Sequence, residues 1–101
     1  MRKGTDMIAA ERERQITEEG WTAGHDSNHI DCELLQAACS YGLDVLAREN
    51  AGNMYGSNYQ DMSDSCWPWS DASFKPTPKD TIRQLVKAGA LIAAEIDRRL
   101  K

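Results

Sequence analysis

The C-terminal stretch of the chain constrains the fold most, because its apolar residues recur at the spacing of an α-helix. The segment TPKDTIRQLVKAGALIAAEIDRRL opens with threonine and proline, a pair typical of a helix N-cap and first helical position. We therefore predict a helix at about 78–99, capped by Thr77. Its apolar face comprises Ile82, Leu85, Val86, Gly89, Ile92, Ala93, Ile96 and Leu100. A second face carries the small residues Ala88, Gly89, Ala90, Ala93 and Ala94, which permit close helix packing within the chain or a homodimer through this last helix.

A second helix is predicted at about 30–48, where apolar residues again follow the helical period. Cys39 lies beside this stripe, and we expect it to be an inert core residue. Gly42 disfavours a helix interior by about 1 kcal/mol relative to alanine, and it predicts either the close approach of another helix or a local break. The stripe consists of Ile30, Leu34, Ala37, Ala38, Tyr41 and Val45.

A first helix is predicted at about 5–19, and Gly20 is its natural C-terminal stop. Its apolar positions are sparse, so we expect the helix to be held mainly by its ends. The ERER motif is typical of a solvated face with ion pairs one turn apart, such as Arg14 with Glu18.

The region between the second and last helices has the composition of a loop. Residues 49–77 contain Gly, Asn, Ser, Asp and all three prolines, without a sustained apolar period. We predict a long loop that is partly mobile at 50–65, whereas its aromatic end at 66–76 packs back onto the helices. No strand alternation is found outside the loop. The predicted fold is therefore all-α, with residues 1–101 forming one domain: a small bundle of three main helices and an aromatic-rich loop.

Charge and cysteine content exclude several classes of protein. The net charge of −4 opposes the phosphate neutralisation on which non-specific nucleic-acid affinity depends, so a nucleic-acid partner is not expected. Three cysteines without CxxC spacing favour a reduced cytosolic protein. The longest apolar segment, 88–94, is far shorter than the roughly 20 residues of a membrane span, and we expect no membrane partner.

Four motifs in order resemble a family of small proteins of tailed bacteriophages and prophages. They are ERERQITEEGWTAGHDSNH, ELLQAACSYGL, CWPW with the later FKP, and LVKAGALIAAEIDR. The resemblance covers most of the chain and implies a phage-encoded accessory protein in the host bacterial cytoplasm, but it implies no activity. From this setting and the aromatic and basic residues, we predict a role in counter-defence or host takeover. The GWTAGHD segment is also similar to the RyR-type repeat module, although the HP-x-L-x-PY segment of that module is missing. That likeness implies binding of a nucleotide or a similar small ligand.

The histidine-rich turn at 25–33 has two interpretations. His25 and His29 have the spacing at which one helix face can hold Zn²⁺, with Asp26 as a further ligand. The acids and Asn28 are also residues that cap a helix N-terminus, and this interpretation requires no metal. Paired carboxylates at the ExxE spacing of an all-α Mg²⁺ pyrophosphatase are missing from the chain. We assign no catalytic residue, metal or cofactor, and keep a small metal-dependent hydrolase at this turn as an alternative.

The aromatic residues favour a binding function. Tryptophan and tyrosine rings can stack on a planar ligand, while basic side chains such as Arg14 meet its phosphate or carboxylate. The alternative, purely structural interpretation is that the tryptophans close the core of a chain with few large apolar residues. We predict a non-enzymatic protein that binds a host protein or a nucleotide-type signalling ligand, with a structural or regulatory dimer as a further alternative. The predicted ligand-binding residues are Trp21, His25, Asp26, Tyr41, Trp67, Trp69, Lys75 and Lys79.

Overall fold

A computed structural model of the protein describes residues 3–19 and 32–100. Those residues form four α-helices and no strand, which confirms the all-α class. The helices are α1 (Lys3–Glu19), α2 (Glu33–Glu49), α3 (Tyr55–Cys66) and α4 (Thr81–Leu100), with a short 3-10 turn at Asp71–Ser73. None of the helices in these two ranges is both long enough and apolar enough to cross a membrane.

The core lies between α2 and α4, which run antiparallel. Leu34 and Tyr41 of α2 meet Leu91 of α4, and Leu91 is fully buried. The small-residue face of α4 packs within the chain, where Ala88, Ala90 and Ala94 are buried. Small side chains allow the two backbones to approach closely.

The other apolar face of α4 is largely exposed. Helix α1 reaches this face at Gly89, where an added Cβ would lie 2.7 Å from Ile8 Cδ1. On either side of that contact, Ile82 and Ile96 are 62% and 52% exposed. Between α1 and α4 runs a groove of about 350 Å³ whose lining includes Met7 and Ile82. Helix α1 covers this face only around Gly89, so the positions on either side stay exposed. A homodimer through α4, which stays a prediction, would have to use this exposed face.

Helix α1 is attached to α4 through buried polar side chains. Glu11, Arg12 and Gln15 are 2%, 8% and 2% exposed, so the prediction that ERER is a solvated face was wrong for its first two residues. Arg83 of α4 lies 2.7 Å from Glu11, and Asp97 lies 3.4 Å from Arg12. These ion pairs hold the middle of the helix rather than only its ends.

The predicted pair of Arg14 and Glu18 is confirmed at 3.0 Å. This contact is on the exposed side of α1, where an i,i+4 pair of opposite charges contributes only a few tenths of a kcal/mol. It supports the helix without deciding where the helix packs.

Helix α3 lies inside the segment predicted to be a loop at 49–77, so the loop prediction was wrong for residues 55–66, while mobility at 50–65 stays a prediction. The helix packs on α2 through small and polar residues, which leave no apolar period in the sequence. Ser40 Oγ donates to the Ser63 carbonyl at 2.8 Å, and Ser63 Oγ donates to the Ser40 carbonyl at 2.7 Å. Both serines are fully buried. Gly56 completes the contact, since an added Cβ would lie 2.6 Å from the Asn50 carbonyl oxygen.

The start of α4 differs from the prediction. The helix begins at Thr81, and Asp80 is its N-cap, because Asp80 Oδ1 accepts the backbone N–H of Arg83 at 3.0 Å. Thr77 belongs instead to a preceding turn, in which the Asp80 N–H donates to the Thr77 carbonyl at 2.9 Å. An aspartate directly before the first turn outcompetes the more distant threonine and proline.

Two predictions about α2 were also wrong. The helix passes through Gly42 without a break, and no described atom lies within 4 Å of an added Cβ there. Cys39 is exposed rather than in the core, because it lies on the side of α2 away from α4. Cys32 precedes the helix with a φ of 64°, a left-handed conformation that is costly for a residue with a Cβ. Ile30, at the predicted start, lies outside the described residues.

Candidate ligand-binding cavity

A cavity of about 490 Å³ opens between α1, α2, α4 and the segment 67–75. Its volume is within the range of about 300–1,000 Å³ that small-molecule sites occupy. Aromatic, basic and amide side chains line it together, including Arg14, Gln15, Tyr41, Trp67, Trp69, Lys75 and Lys87.

The aromatic wall of the cavity is built around Trp67. Its ring centroid lies 5.4 Å from that of Tyr41 and 5.3 Å from that of Trp69, both edge to face, and 4.8 Å from that of Phe74. Tyr41 also stacks on Phe74 at 5.1 Å. Trp67, Trp69 and Phe74 are only partly buried and pack against the core, so the ring cluster both closes the core and presents aromatic surface to the cavity.

Hydrogen bonds fix the chain that carries these rings. Trp67 Nε1 donates to the Ser70 carbonyl at 2.9 Å and to Ser73 Oγ at 3.2 Å. The Lys75 N–H donates to the Tyr41 hydroxyl at 3.2 Å. The segment therefore returns to α2 immediately after its rings and holds them in a defined orientation.

Further along, Gln84 of α4 anchors the same segment. Its Oε1 accepts the Thr77 N–H at 2.7 Å and an Arg48 N–H at 2.6 Å. Its Nε2 donates to the Tyr41 carbonyl at 3.0 Å and to Asp44 Oδ2 at 2.8 Å. This fully buried amide uses its full hydrogen-bonding capacity, and it links α2, α4 and the chain leading to the cavity.

Basic side chains line the other walls. Lys87 Nζ lies 5.7 Å from the centroid of the Tyr41 ring and donates to the Lys75 carbonyl at 2.9 Å. Lys75 is exposed at the cavity rim. Together with Arg14, these lysines outnumber Glu11, the one acid among the described lining residues. The cavity is therefore locally cationic in a chain with a net charge of −4.

Glu11 is neutralised within its own network of hydrogen bonds. Its carboxylate accepts two hydrogen bonds from Arg14, at 2.9 and 2.8 Å, and pairs with Arg83 at 2.7 Å. Burial disfavours the charged form, but the two guanidinium groups outweigh it and hold the pKa of the Glu11 carboxyl below its ordinary value. Glu11 is thus an ionised acceptor at neutral pH and is not poised as a general acid.

Gln15 also lines the cavity. Its Nε2 donates to Glu11 Oε2 at 3.2 Å. Its Oε1 is buried, and residues 3–19 and 32–100 offer it no hydrogen-bond partner. Such an acceptor is unusual in a folded protein, where buried polar atoms are nearly always paired.

Four of the predicted site residues come together at the cavity, namely Tyr41, Trp67, Trp69 and Lys75. Lys79 is exposed and is not among the described lining residues, because the turn at 77–80 carries it away from the rings. The predicted residues Trp21, His25 and Asp26, together with His29, lie outside the described residues.

Sequence reasoning missed Gln15 and Lys87 as cavity residues. Lys87 carries a weak signal, since it lies between the apolar positions of α4, but only the fold brings it to Tyr41. Gln15 has no local signal, because its role depends on Glu11, which is fixed by Arg83 far along the chain.

Within residues 3–19 and 32–100, no group of three or more His, Cys, Asp or Glu side chains is placed to hold a metal ion. The three cysteines are free thiols. Cys32 lies 3.6 Å from a guanidinium nitrogen of Arg99. No base or orienting group is described beside it that would make it a nucleophile.

Comparisons of the chain with protein-family models, with curated proteins and with solved structures gave no match. The phage-family resemblance therefore stays a prediction. The case for a function rests on the cavity.

Proposed function

We propose that this protein is a non-enzymatic binding protein whose cavity holds a small anionic ligand with a planar ring, of the nucleotide type. The observation that carries the proposal is that the aromatic rings of Tyr41, Trp67 and Trp69 and basic side chains line one cavity of about 490 Å³. A ring would stack against Trp67 and Trp69, and the phosphate would be bound by Lys75 and Lys87. This division of roles is common in ligand sites, where apolar walls supply contact area and a few polar groups fix orientation.

Charge supports an anionic ligand. Glu11 is already paired with Arg14 and Arg83, so its carboxylate does not offset the positive charges of Lys75 and Lys87 at the cavity. A hydrogen bond to a charged group contributes about 1.5–3 kcal/mol, which corresponds to roughly 10-fold to 150-fold in affinity. We expect the binding to weaken with added salt, since Lys75 is exposed at the rim.

In the setting that the motif resemblance implies, the protein would act in the cytoplasm of a phage-infected bacterium. Binding of a nucleotide-type signal there would serve counter-defence or host takeover by sequestration. This placement rests on the resemblance, whereas the binding itself rests on the cavity.

The test is isothermal titration calorimetry of the purified protein with a panel of nucleoside mono- and diphosphates, preceded by native mass spectrometry to detect a retained ligand. We expect at least one nucleotide to bind, and Lys75→Met and Lys87→Met each to weaken it at least 10-fold. Lys79→Met is the matched control, because Lys79 is exposed and outside the described lining. The proposal is wrong if no nucleotide binds, or if Lys79→Met weakens binding as much as the other two.

A further inference from the structure

The unpaired Oε1 of Gln15 is the feature of the cavity that says most about its ligand. Gln15 is 2% exposed and lines the cavity. The neighbouring side chains of Glu11 and Arg14 hydrogen-bond to each other, while this acceptor finds no partner within the part of the chain that the structure describes. A buried acceptor without a hydrogen bond is unfavourable, and a bound molecule with a suitable N–H would relieve that penalty.

The amide cannot relieve the penalty by turning over. Its Nε2 donates to Glu11 Oε2 at 3.2 Å, and a flip would place Oε1 against that carboxylate. Glu11 stays ionised because Arg14 and Arg83 bind both of its oxygens. Two facing acceptors would repel each other, so Oε1 is held away from Glu11 as an acceptor.

We propose that Gln15 determines the specificity of the cavity and that its Oε1 accepts an N–H from an amino group on the ring of the ligand. This inference rests on the proposed function and narrows it to nucleotides with an amino-substituted base, such as a 6-aminopurine or a 4-aminopyrimidine. A site built around a buried hydrogen-bonding group rejects analogues that lack the matching group, because the protein atom is then left unpaired. The phosphate-binding lysines hold any nucleotide, and Gln15 selects among the bases.

The experiment compares two pairs of probes by calorimetry on the wild-type protein. Adenosine 5′-monophosphate is paired with purine-riboside 5′-monophosphate, which lacks only the amino group. Cytidine 5′-monophosphate is paired with zebularine 5′-monophosphate, which lacks the amino group of cytosine. In whichever pair binds, we expect the amino-bearing member to bind at least 10-fold more tightly.

The Gln15→Met variant then tests whether Gln15 causes the preference for the amino-bearing probe. This variant keeps the length of the side chain and removes the acceptor, while Glu11 keeps both arginines. We expect it to bind the two members of a pair with similar affinity. Its fold is checked by circular dichroism, and the wild-type comparison decides the question by itself should the variant be unstable.

The outcomes separate the two proposals. Equal binding of both members of a pair by the wild-type protein would overturn the role of Gln15 and leave the nucleotide cavity standing. A preference for the amino-bearing member that persists in a folded Gln15→Met variant would also overturn it. Failure of all four probes, together with the wider panel of nucleotides, would overturn the proposed function and this inference with it.

Discussion

Replacing Gln84 by methionine should lower the free energy of unfolding by about 3 kcal/mol. Gln84 is fully buried, and it makes four hydrogen bonds to Tyr41, Asp44, Arg48 and Thr77. Methionine has a similar length and flexibility, so the substitution removes the hydrogen bonds without opening a large cavity.

The magnitude follows from what each partner loses. Asp44 loses a hydrogen bond to a charged group, about 1.5–3 kcal/mol, although it keeps Arg48 at 2.9 Å. The Thr77 N–H loses its acceptor, which costs about 1 kcal/mol. Arg48 loses one acceptor as well, and this costs about 1 kcal/mol because Arg48 is partly exposed and keeps Asp44. The Tyr41 carbonyl keeps its helical hydrogen bond and loses little. Burial of the methionine offsets about 1 kcal/mol of the total. A domain of 101 residues has a stability of roughly 5–15 kcal/mol, so the loss is a large fraction.

Urea unfolding followed by far-ultraviolet circular dichroism measures the effect, with the slope of the transition checked for two-state behaviour. Gln36→Met is the matched control, since Gln36 is exposed on α2 and the same substitution should change stability by less than about 0.5 kcal/mol. Gln84→Glu separates hydrogen bonding from packing, because it keeps the shape but places an acceptor against Asp44. If Gln84→Met lowered stability by less than 1 kcal/mol, or if Gln84→Glu were as stable as the wild type, the network would not hold the fold.

Two further predictions concern glycine and pH. Gly56→Ala should destabilise the protein by about 1–3 kcal/mol, because the new Cβ would lie 2.6 Å from the Asn50 backbone oxygen. Gly42→Ala should stabilise it by about 0.5–1 kcal/mol, because its helical position is open. Urea unfolding measures both changes, and the reasoning fails if the two variants change stability in the same direction or each in the opposite direction. Arg98 lowers the pKa of Glu95 to about 2, so the stability from this carboxylate is complete above pH 4.5 and is lost as the pH falls towards 2. Glu95→Gln should therefore be about 1–2 kcal/mol less stable than wild type at pH 6 and equal to it near pH 2, and a difference that does not change with pH would refute the ion-pair origin.

The sequence predicts those parts of the fold that are stabilised by apolar contacts repeated along a helix. Helices α2 and α4 are of this kind. Leu34 and Tyr41 belong to the predicted stripe of α2 and are buried, whereas the apolar period of α4 predicts the helix but not its buried contact Leu91. Helix α3 escapes prediction because Ser40 and Ser63 bind each other's carbonyls, and small polar residues leave no apolar period.

The candidate site is likewise predictable from the sequence only in part. Its rings are predictable, because Trp67 and Trp69 are too apolar for a solvated loop. Its polar groups are not, because the orientation of Gln15 depends on Glu11 and hence on Arg83 of another helix. Polar side chains acquire their roles from partners that only tertiary structure supplies.

The order in which these helices assemble follows from how far apart in the chain their contacts lie. The two serines that join α2 and α3 are 23 positions apart, whereas Arg12 and Asp97 are 85 apart. Closing the longer loop costs more chain entropy, so we expect the α2–α3 hairpin to nucleate folding and the N-terminal helix to dock late. Because α1 forms one wall of the cavity, the cavity exists only when α1 has docked on α4. A bound ligand would therefore stabilise the docked position of α1.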